Sequence, residues 1–266
     1  FVKRKKIAFI HEVAGDIWKY MYPFPLSVIG HSIESFALKI YKNIDFITVS
    51  QSTANDLKKA GVKKIFVLTN GIHITSLPES IKKEKNITFI CVNRLVKMKG
   101  IEDVLSSFQI IIEEIKDAKL WIVGDGEKKY INKLKQKVKQ SKLQTAVTFF
   151  GKVNESKKLE LMKRAHILLH SSIKEGWGLV IVEAASQGTP AVVYNVGGLR
   201  DSVKNGKTGI VLQKNTPLEM AKQSLLLLGN SSKYQTFQKD CKIYAKNLTW
   251  EQATKKSLSL LKESIK

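Results

Sequence analysis

Glu175-Gly176-Trp177-Gly178-Leu179-Val180-Ile181-Val182-Glu183 sets two carboxylates around a Gly-x-Gly turn and an apolar run. Gly176 and Gly178 suit a tight backbone, either with positive φ or in close approach to a ligand. The run from Leu179 through Ala184-Ala185 reads as a helix closed by Gly188 and Pro190. A helix starting near Gly178 turns free backbone N–H groups and its positive dipole end toward an anion. Glu183, five residues on, stands roughly 8 Å further along the axis at about 1.5 Å per residue. That spacing suits a phosphate at the helix start and ribose hydroxyls at Glu183, with Glu175 in the loop free for a second set of hydroxyls. Sugar, diphosphate and ribose in series make a nucleotide sugar. Taken alone, two glutamates at this distance are equally read as solvated charges and Gly-x-Gly as a plain turn.

The elements that would position these residues alternate in kind. Apolar runs at Ile7–Ile10, Asp45–Val49 and Lys64–Leu68 read as strands, separated by helices at Ser27–Lys42 and Thr53–Ala60. Ser50 or Ser52 is placed to cap the second helix and Gly61 to end it. His11 follows the first strand, at the carboxyl end where open α/β sheets collect ligands. Residues 76–86 are polar, contain Pro78, and read as a linker. A second series follows: strands at Ile87–Val92, Lys119–Val123, Ala146–Phe150, His166–His170, Pro190–Tyr194 and Gly209–Leu212. Helices are expected at Ile101–Ile115, Lys128–Lys142, Glu155–Arg164 with Asn154 as cap, Pro217–Leu228, Lys233–Lys246 and Trp250–Ser264. This alternation specifies an α/β protein with parallel sheets.

In the second series the informative loops follow strands and gather on one edge. Arg94 and Lys99 lie across the first such turn, as a diphosphate clamp would require. Gly151-Lys152-Val153 lets backbone amides face a planar base. Gly197-Gly198 reads as an anion-friendly turn or as a tight connection. Gly124-Asp125-Gly126 lacks the third glycine of a dinucleotide fingerprint, since Lys129 holds its place.

The 266 residues carry a formal charge of +22 and a pI near 9.8. Such a charge draws a protein toward polyanions and anionic lipid, while a lysine-rich set of solvated helix faces accounts for it equally well. No helix-turn-helix, zinc or aromatic RNA signature accompanies the charge, so no nucleic-acid partner is expected. No apolar run reaches the ~18–20 residues of a membrane span, and Phe1–Lys6 has no secretory character. Two distant cysteines, Cys91 and Cys241, form no disulfide framework and fit a reducing cytosol.

The run Ser172–Gly178 through Glu183-Ala184 to Gly188–Val192 resembles the Glu-x7-Glu motif of retaining GT-B glycosyltransferases, the large family four (glycosyl transferases group 1). Asn93-Arg94-Leu95 with Lys99-Gly100, Val123–Gly126, Val147–Gly151, Gly197-Gly198 and Thr249-Trp250 extend the resemblance over the chain. Asn93 stands where glycine is usual before the arginine, and Trp177 where phenylalanine is usual. The resemblance implies two Rossmann-like parallel-sheet domains with the first incomplete: residues 1–75 as a partial acceptor-side domain, 76–86 as linker, 87–248 as the nucleotide-sugar domain, and 249–266 as a helix crossing back. It implies a hexose-type sugar passed from a nucleoside-diphosphate sugar to a hydroxyl of a glycan or lipid-linked acceptor, with retained configuration. It assigns Arg94 and Lys99 to the diphosphate, Glu183 to the ribose, and Glu175 with Gly176, Gly178 and Leu179 to donor sugar and phosphate. Val153 falls to the base and His11 to the transferred sugar. No Asp-x-Asp occurs, which fits transfer without a metal or other cofactor. A peripheral place at the inner membrane face follows from the basic surface and a lipid-linked acceptor. Two other activities share these residues: a sugar-nucleotide epimerase, and a non-catalytic donor-binding subunit that needs a partner for its N-terminal half.

Overall fold

The computed structural model describes residues 5–265; the first four residues of the basic opening run lie outside that range. Two parallel sheets are present. The smaller has the order β1 (Ile7–Ile10), β2 (Asp45–Thr48), β3 (Lys64–Val67). The larger is built from β4 (Thr88–Val92), β5 (Lys119–Val123), β6 (Val147–Gly151), β7 (Ile167–His170), β8 (Ala191–Val193) and β9 (Gly209–Val211), in the order β6-β5-β4-β7-β8-β9. This is the doubly wound order, in which the winding reverses between β4 and β7. β4 and β7 are buried at every position, as strands covered by helices on both faces must be.

The helices are α1 (Trp18–Met21), α2 (Leu26–Tyr41), α3 (Gln51–Lys59), α4 (Ile101–Glu114), α5 (Lys128–Gln140), α6 (Glu155–Arg164), α7 (Leu179–Ser186), α8 (Gly197–Ser202), α9 (Pro217–Leu228), α10 (Ser231–Lys246) and α11 (Trp250–Ile265). Capping follows the expected chemistry. The Ser50 hydroxyl accepts from Thr53 N at 3.2 Å, so Ser50 and not Ser52 caps α3. Asn154 Oδ1 accepts from Lys157 N at 2.8 Å at the start of α6. Along α4, Ile101, Val104, Leu105, Phe108 and Ile111 are buried, which seats that helix on the large sheet.

Gly197-Gly198, read from the sequence as a turn, is the first turn of α8. Trp18–Met21, where the sequence assigns no helix, forms a short one after a 3-10 turn at Gly15–Ile17.

The small sheet is thinly covered. β1 is an edge strand with Phe9 half exposed, and α2 presents Ile29, Ile33, Phe36 and Ile40 to solvent along one stripe. The two sheets meet through Val49, Ile72, Trp177, Val182, Ala185 and Cys241, which form one buried cluster. α11 begins against the end of the small unit, where Ile72 bridges Thr249 and Ile72 N donates to Leu248 O at 2.8 Å. Among the described residues no helix is long and apolar enough to cross a membrane.

Two core histidines are buried in their neutral form. His166 Nδ1 accepts from Thr88 N at 3.0 Å, and burial pulls its pKa down to about 4. Burial, followed by the nearby Lys99 ammonium, pulls His170 down to about 3. Both lie below the unfolded value, so the unfolded chain takes up protons first as pH falls through about 6.5. Stability is then lost between about pH 6.5 and 4, at up to about 1.4 kcal/mol per pH unit for each histidine. The thermal midpoint should therefore drop steeply across that window; a midpoint unchanged from pH 7 to pH 5 contradicts the neutral burial of these rings.

Candidate functional site

The loops after β4 and β7 leave the large sheet at its winding reversal, the crevice where open α/β sheets hold ligands. The β4 loop is pinned from below. Asn93 N donates to Val123 O at 3.0 Å, Leu95 N to Asp125 O at 2.8 Å, and the Leu95 side chain is buried. Glycine is required beside it, since a Cβ on Gly124 would lie 1.8 Å from the Asn93 carbonyl oxygen. Asn93 turns its amide back to the Cys91 sulfur at 3.8 Å, and so fits the place where glycine is usual. Lys97–Lys99 form a 3-10 turn, and Gly100 at φ +64° starts α4.

The β7 loop packs directly on this one. The Ser171 hydroxyl donates to Gly100 O at 2.7 Å, and Ile173 N donates to Met98 O at 3.1 Å. Lys99 and Glu175 thereby come together, with Nζ 2.6 Å from Oε2. The Lys99 side chain is 10% exposed and that of Glu175 19%. His170 closes the floor, its Nε2 3.9 Å from the same Glu175 oxygen. Lys99, expected to act as a free diphosphate ligand, is thus held by Glu175; two of its three N–H donors remain for a ligand. Arg94 is exposed on the rim, with no ion pair among the described residues.

Gly178 caps α7 with φ −78°, and no positive φ occurs at Gly176. Of the expectations for these two glycines the positive φ is corrected: neither adopts it, and both lie close to other protein atoms. A Cβ on Gly176 would sit 2.4 Å from His11 O, and one on Gly178 2.7 Å from Ile181 Cδ1. A Cβ on Gly198 would lie 2.4 Å from both Glu175 O and the Gly176 carbonyl carbon, while Gly198 N donates to Glu175 O at 2.7 Å. Three strand-end loops, one from the small sheet and two from the large, therefore cross at Gly176.

His11 is exposed beside this crossing, edge-on to Phe9 at 4.8 Å. Glu34 on α2 shapes the loop behind it, accepting from Ala14 N at 2.7 Å, Gly15 N at 2.8 Å and Trp18 Nε1 at 3.1 Å. Lys174 spans the two units by donating to Ala14 O at 3.1 Å, and Asp201 of α8 accepts from Ser52 N and Oγ at 2.7 and 2.6 Å. Glu12 points toward Lys174, Glu175 and Lys99; burial raises its pKa, and its Oε1 has no partner among the described residues. Glu183, on the first turns of α7, pairs with Lys158 at 2.7 Å, and Lys158 also holds Glu155 at 2.8 Å. Val153 is half-buried against the core beyond β6, away from the Lys99–Glu175 pair in sequence but at the same sheet edge.

The structure thus gathers His11, Lys99, Glu175, Gly176, Gly178 and Leu179 closely, places Glu183 behind them on α7, and leaves Arg94 and Val153 on the rim. Sequence reasoning assigned nothing to Glu12, Glu34, Lys158, His170 or Lys174. A carboxyl-edge position marked His170 in the sequence as it marked His11; the others become visible only through contacts between distant segments.

Comparison with known proteins agrees with this arrangement. The family model described as "Glycosyl transferases group 1" matches residues 74–248. A glycogen synthase of Mycobacterium tuberculosis is 29% identical over 185 residues, which is 68% of this chain and 44% of that protein. The N-acetyl-alpha-D-glucosaminyl L-malate synthase of Bacillus anthracis is 33% identical over 153 residues, 56% of this chain and 39% of that one. The matches thus span under half of these curated relatives. Among solved structures, Anabaena Alr3699/HepE in complex with UDP and glucose superposes with TM-score 0.83 at 20% identity, covering 98% of this chain and 72% of that one.

The Lys99–Glu175 pair is testable by a double-mutant cycle. Removing one partner leaves a mostly buried charge, so Lys99→Met and Glu175→Gln should each cost about 1–2 kcal/mol, discounted for the remaining exposure. The double variant should cost less than the sum by about 1 kcal/mol. Additive costs in urea unfolding would show that the pair is not coupled.

Proposed function

The chain belongs to the glycosyl transferases group 1 family, and from that premise we propose that it binds a nucleoside-diphosphate sugar and passes the sugar, with retained anomeric configuration, to an acceptor hydroxyl. The observation that carries this reading is the convergence of Lys99, Glu175 and the start of α7 at the winding reversal of a GT-B-type large sheet.

The chemistry follows from the charges. Departure of a nucleoside diphosphate builds negative charge on its phosphates, which fixed cations and dipoles stabilise without reorganising. Lys99 donates one N–H to Glu175 and turns others to the phosphates, Arg94 closes from the rim, and the Gly178 amide at the start of α7 points at the same group, that of Leu179 being taken by Trp177 O at 2.9 Å. Glu175 keeps one oxygen for the donor-sugar hydroxyls. Glu183 keeps Oε1 for the ribose while Oε2 stays on Lys158. Glu175 is already neutralised by Lys99, which suits hydroxyl binding better than nucleophilic attack, and a front-face path through a short-lived ion pair retains configuration. His11 faces the side from which the acceptor enters. A glycan or lipid-linked hydroxyl is the acceptor class, and the basic surface would hold the protein at an anionic membrane face.

A second reading rests on the exposed α2 stripe and the β1 edge: a donor-binding subunit whose small sheet is completed by another polypeptide. Turnover by this chain alone excludes it.

The donor reading is tested by a thermal-shift series with UDP, GDP and ADP. One nucleotide should stabilise the protein by about 2.7 kcal/mol at a hundredfold excess over Kd. Arg94→Ala and Glu183→Ala should remove most of that gain, and an undiminished gain in both variants contradicts the site.

A further inference from the structure

The amino edge of the large sheet, opposite the donor crevice, carries a second concentration of charge. A cavity of about 510 Å³ there is lined by Lys82, Lys83, Lys163, Lys239 and Lys242 with amides such as Gln187, and Glu79 is the one acid among its described lining residues. An adjoining cavity of about 370 Å³ shares Lys163, Gln187 and Lys242 and adds Lys246. Lys83 Nζ donates to Ala165 O at 2.5 Å and to the Thr189 hydroxyl at 2.7 Å, which places the cavity at the starts of β7 and β8.

Two of these lysines have structural work. Lys83 satisfies the carbonyl at the end of α6, and Lys163 donates to Leu77 O at 2.9 Å and Pro78 O at 2.8 Å. Lys82, Lys239 and Lys242 do not: none makes a hydrogen bond or ion pair among the described residues. The five lysines around one concavity repel each other, three of them exposed at its rim and Lys83 the most deeply buried. The repulsion registers on the inner pair. Burial first, then Lys242 and Lys163, pulls Lys83 down to about 7, and burial with Lys242 lowers Lys163. An anion seated among them would remove that cost, whereas a scattered solvated lysine face has no such cost to remove.

We propose that this cavity at the amino edge of the large sheet is a second ligand site, for a small soluble anion carrying two or more phosphoryl charges. Its concave form and volume fit a small molecule and not a flat lipid surface. Compact phosphoryl groups suit lysine ammoniums as point charges. The site also has a route to the crevice. Gln187 and Gly188 line it and close α7, the helix whose other end presents Gly178 and whose middle carries Glu183. An occupant therefore bears on the same rigid element as the proposed donor.

Calorimetric titration with pyrophosphate and with inorganic phosphate tests this. Pyrophosphate should bind the intact chain more tightly than phosphate. Lys239→Glu/Lys242→Glu should weaken pyrophosphate binding by at least about tenfold, with Lys239→Gln/Lys242→Gln used if the reversed pair does not fold. Lys129→Glu/Lys139→Glu, an equal charge change on exposed α5, should change it by less than about twofold, and Arg94→Ala in the donor crevice should leave the component that depends on Lys239 and Lys242 in place. Equal weakening by the α5 pair would show general attraction to a basic protein. Loss in Arg94→Ala alone would place the pyrophosphate in the donor crevice. Either result overturns the proposal.

Discussion

The close crossing of backbones at Gly176 governs the geometry of this protein. The carbonyl of His11, the Glu175-Gly176 peptide and the start of α8 at Gly198 approach within distances that no Cβ tolerates. Because the contact is backbone on backbone, the carboxyl ends of β1, β7 and β8 are registered without depending on flexible side chains. Everything with chemical potential is hung from it. Glu175 is the adjoining residue, α7 begins three residues later, and His11 faces them from the other unit. The Ser52–Asp201 and Lys174–Ala14 hydrogen bonds and the Trp177 cluster reinforce the crossing from the sides.

Against that rigid frame the charges of the crevice are held in pairs. Lys99 and Glu175 satisfy each other over a buried neutral His170 while each keeps unused valences. Glu183 is similarly held by Lys158 and not left to collapse elsewhere. A preorganised pair of this kind avoids burying an isolated charge and still presents a carboxylate and an ammonium side by side. At the opposite sheet edge the balance is different, with lysines that have carbonyl partners or none, so the two ends of α7 meet opposite electrostatic situations.

Much of this was legible in the sequence. The nine strands were readable because buried parallel strands are short apolar runs bounded by glycine, asparagine or proline, and the Asn154 cap and the span of α9 followed from local chemistry alone. The short helices α1 and α8 were not, since neither has an apolar period long enough to register. Local sequence also shows that the backbone is special at Gly176 and Gly178 but not that the His11 loop and α8 pack against it. The pairing of Lys99 with Glu175 links residues 76 positions apart, and Ala14 is held by Glu34 20 positions away and by Lys174 160 positions away. Residue type announces capacity for chemistry; only the fold decides which partner uses it.

The most direct measurement is amide hydrogen exchange with and without the nucleoside diphosphate that stabilises the protein best. Slowed exchange is expected in residues 93–100 and 174–179, where the two loops and the start of α7 would close on the phosphates. Protection absent from both loops, or confined to the amino edge of the sheet, would contradict the claim that the winding reversal of the large sheet is the donor site.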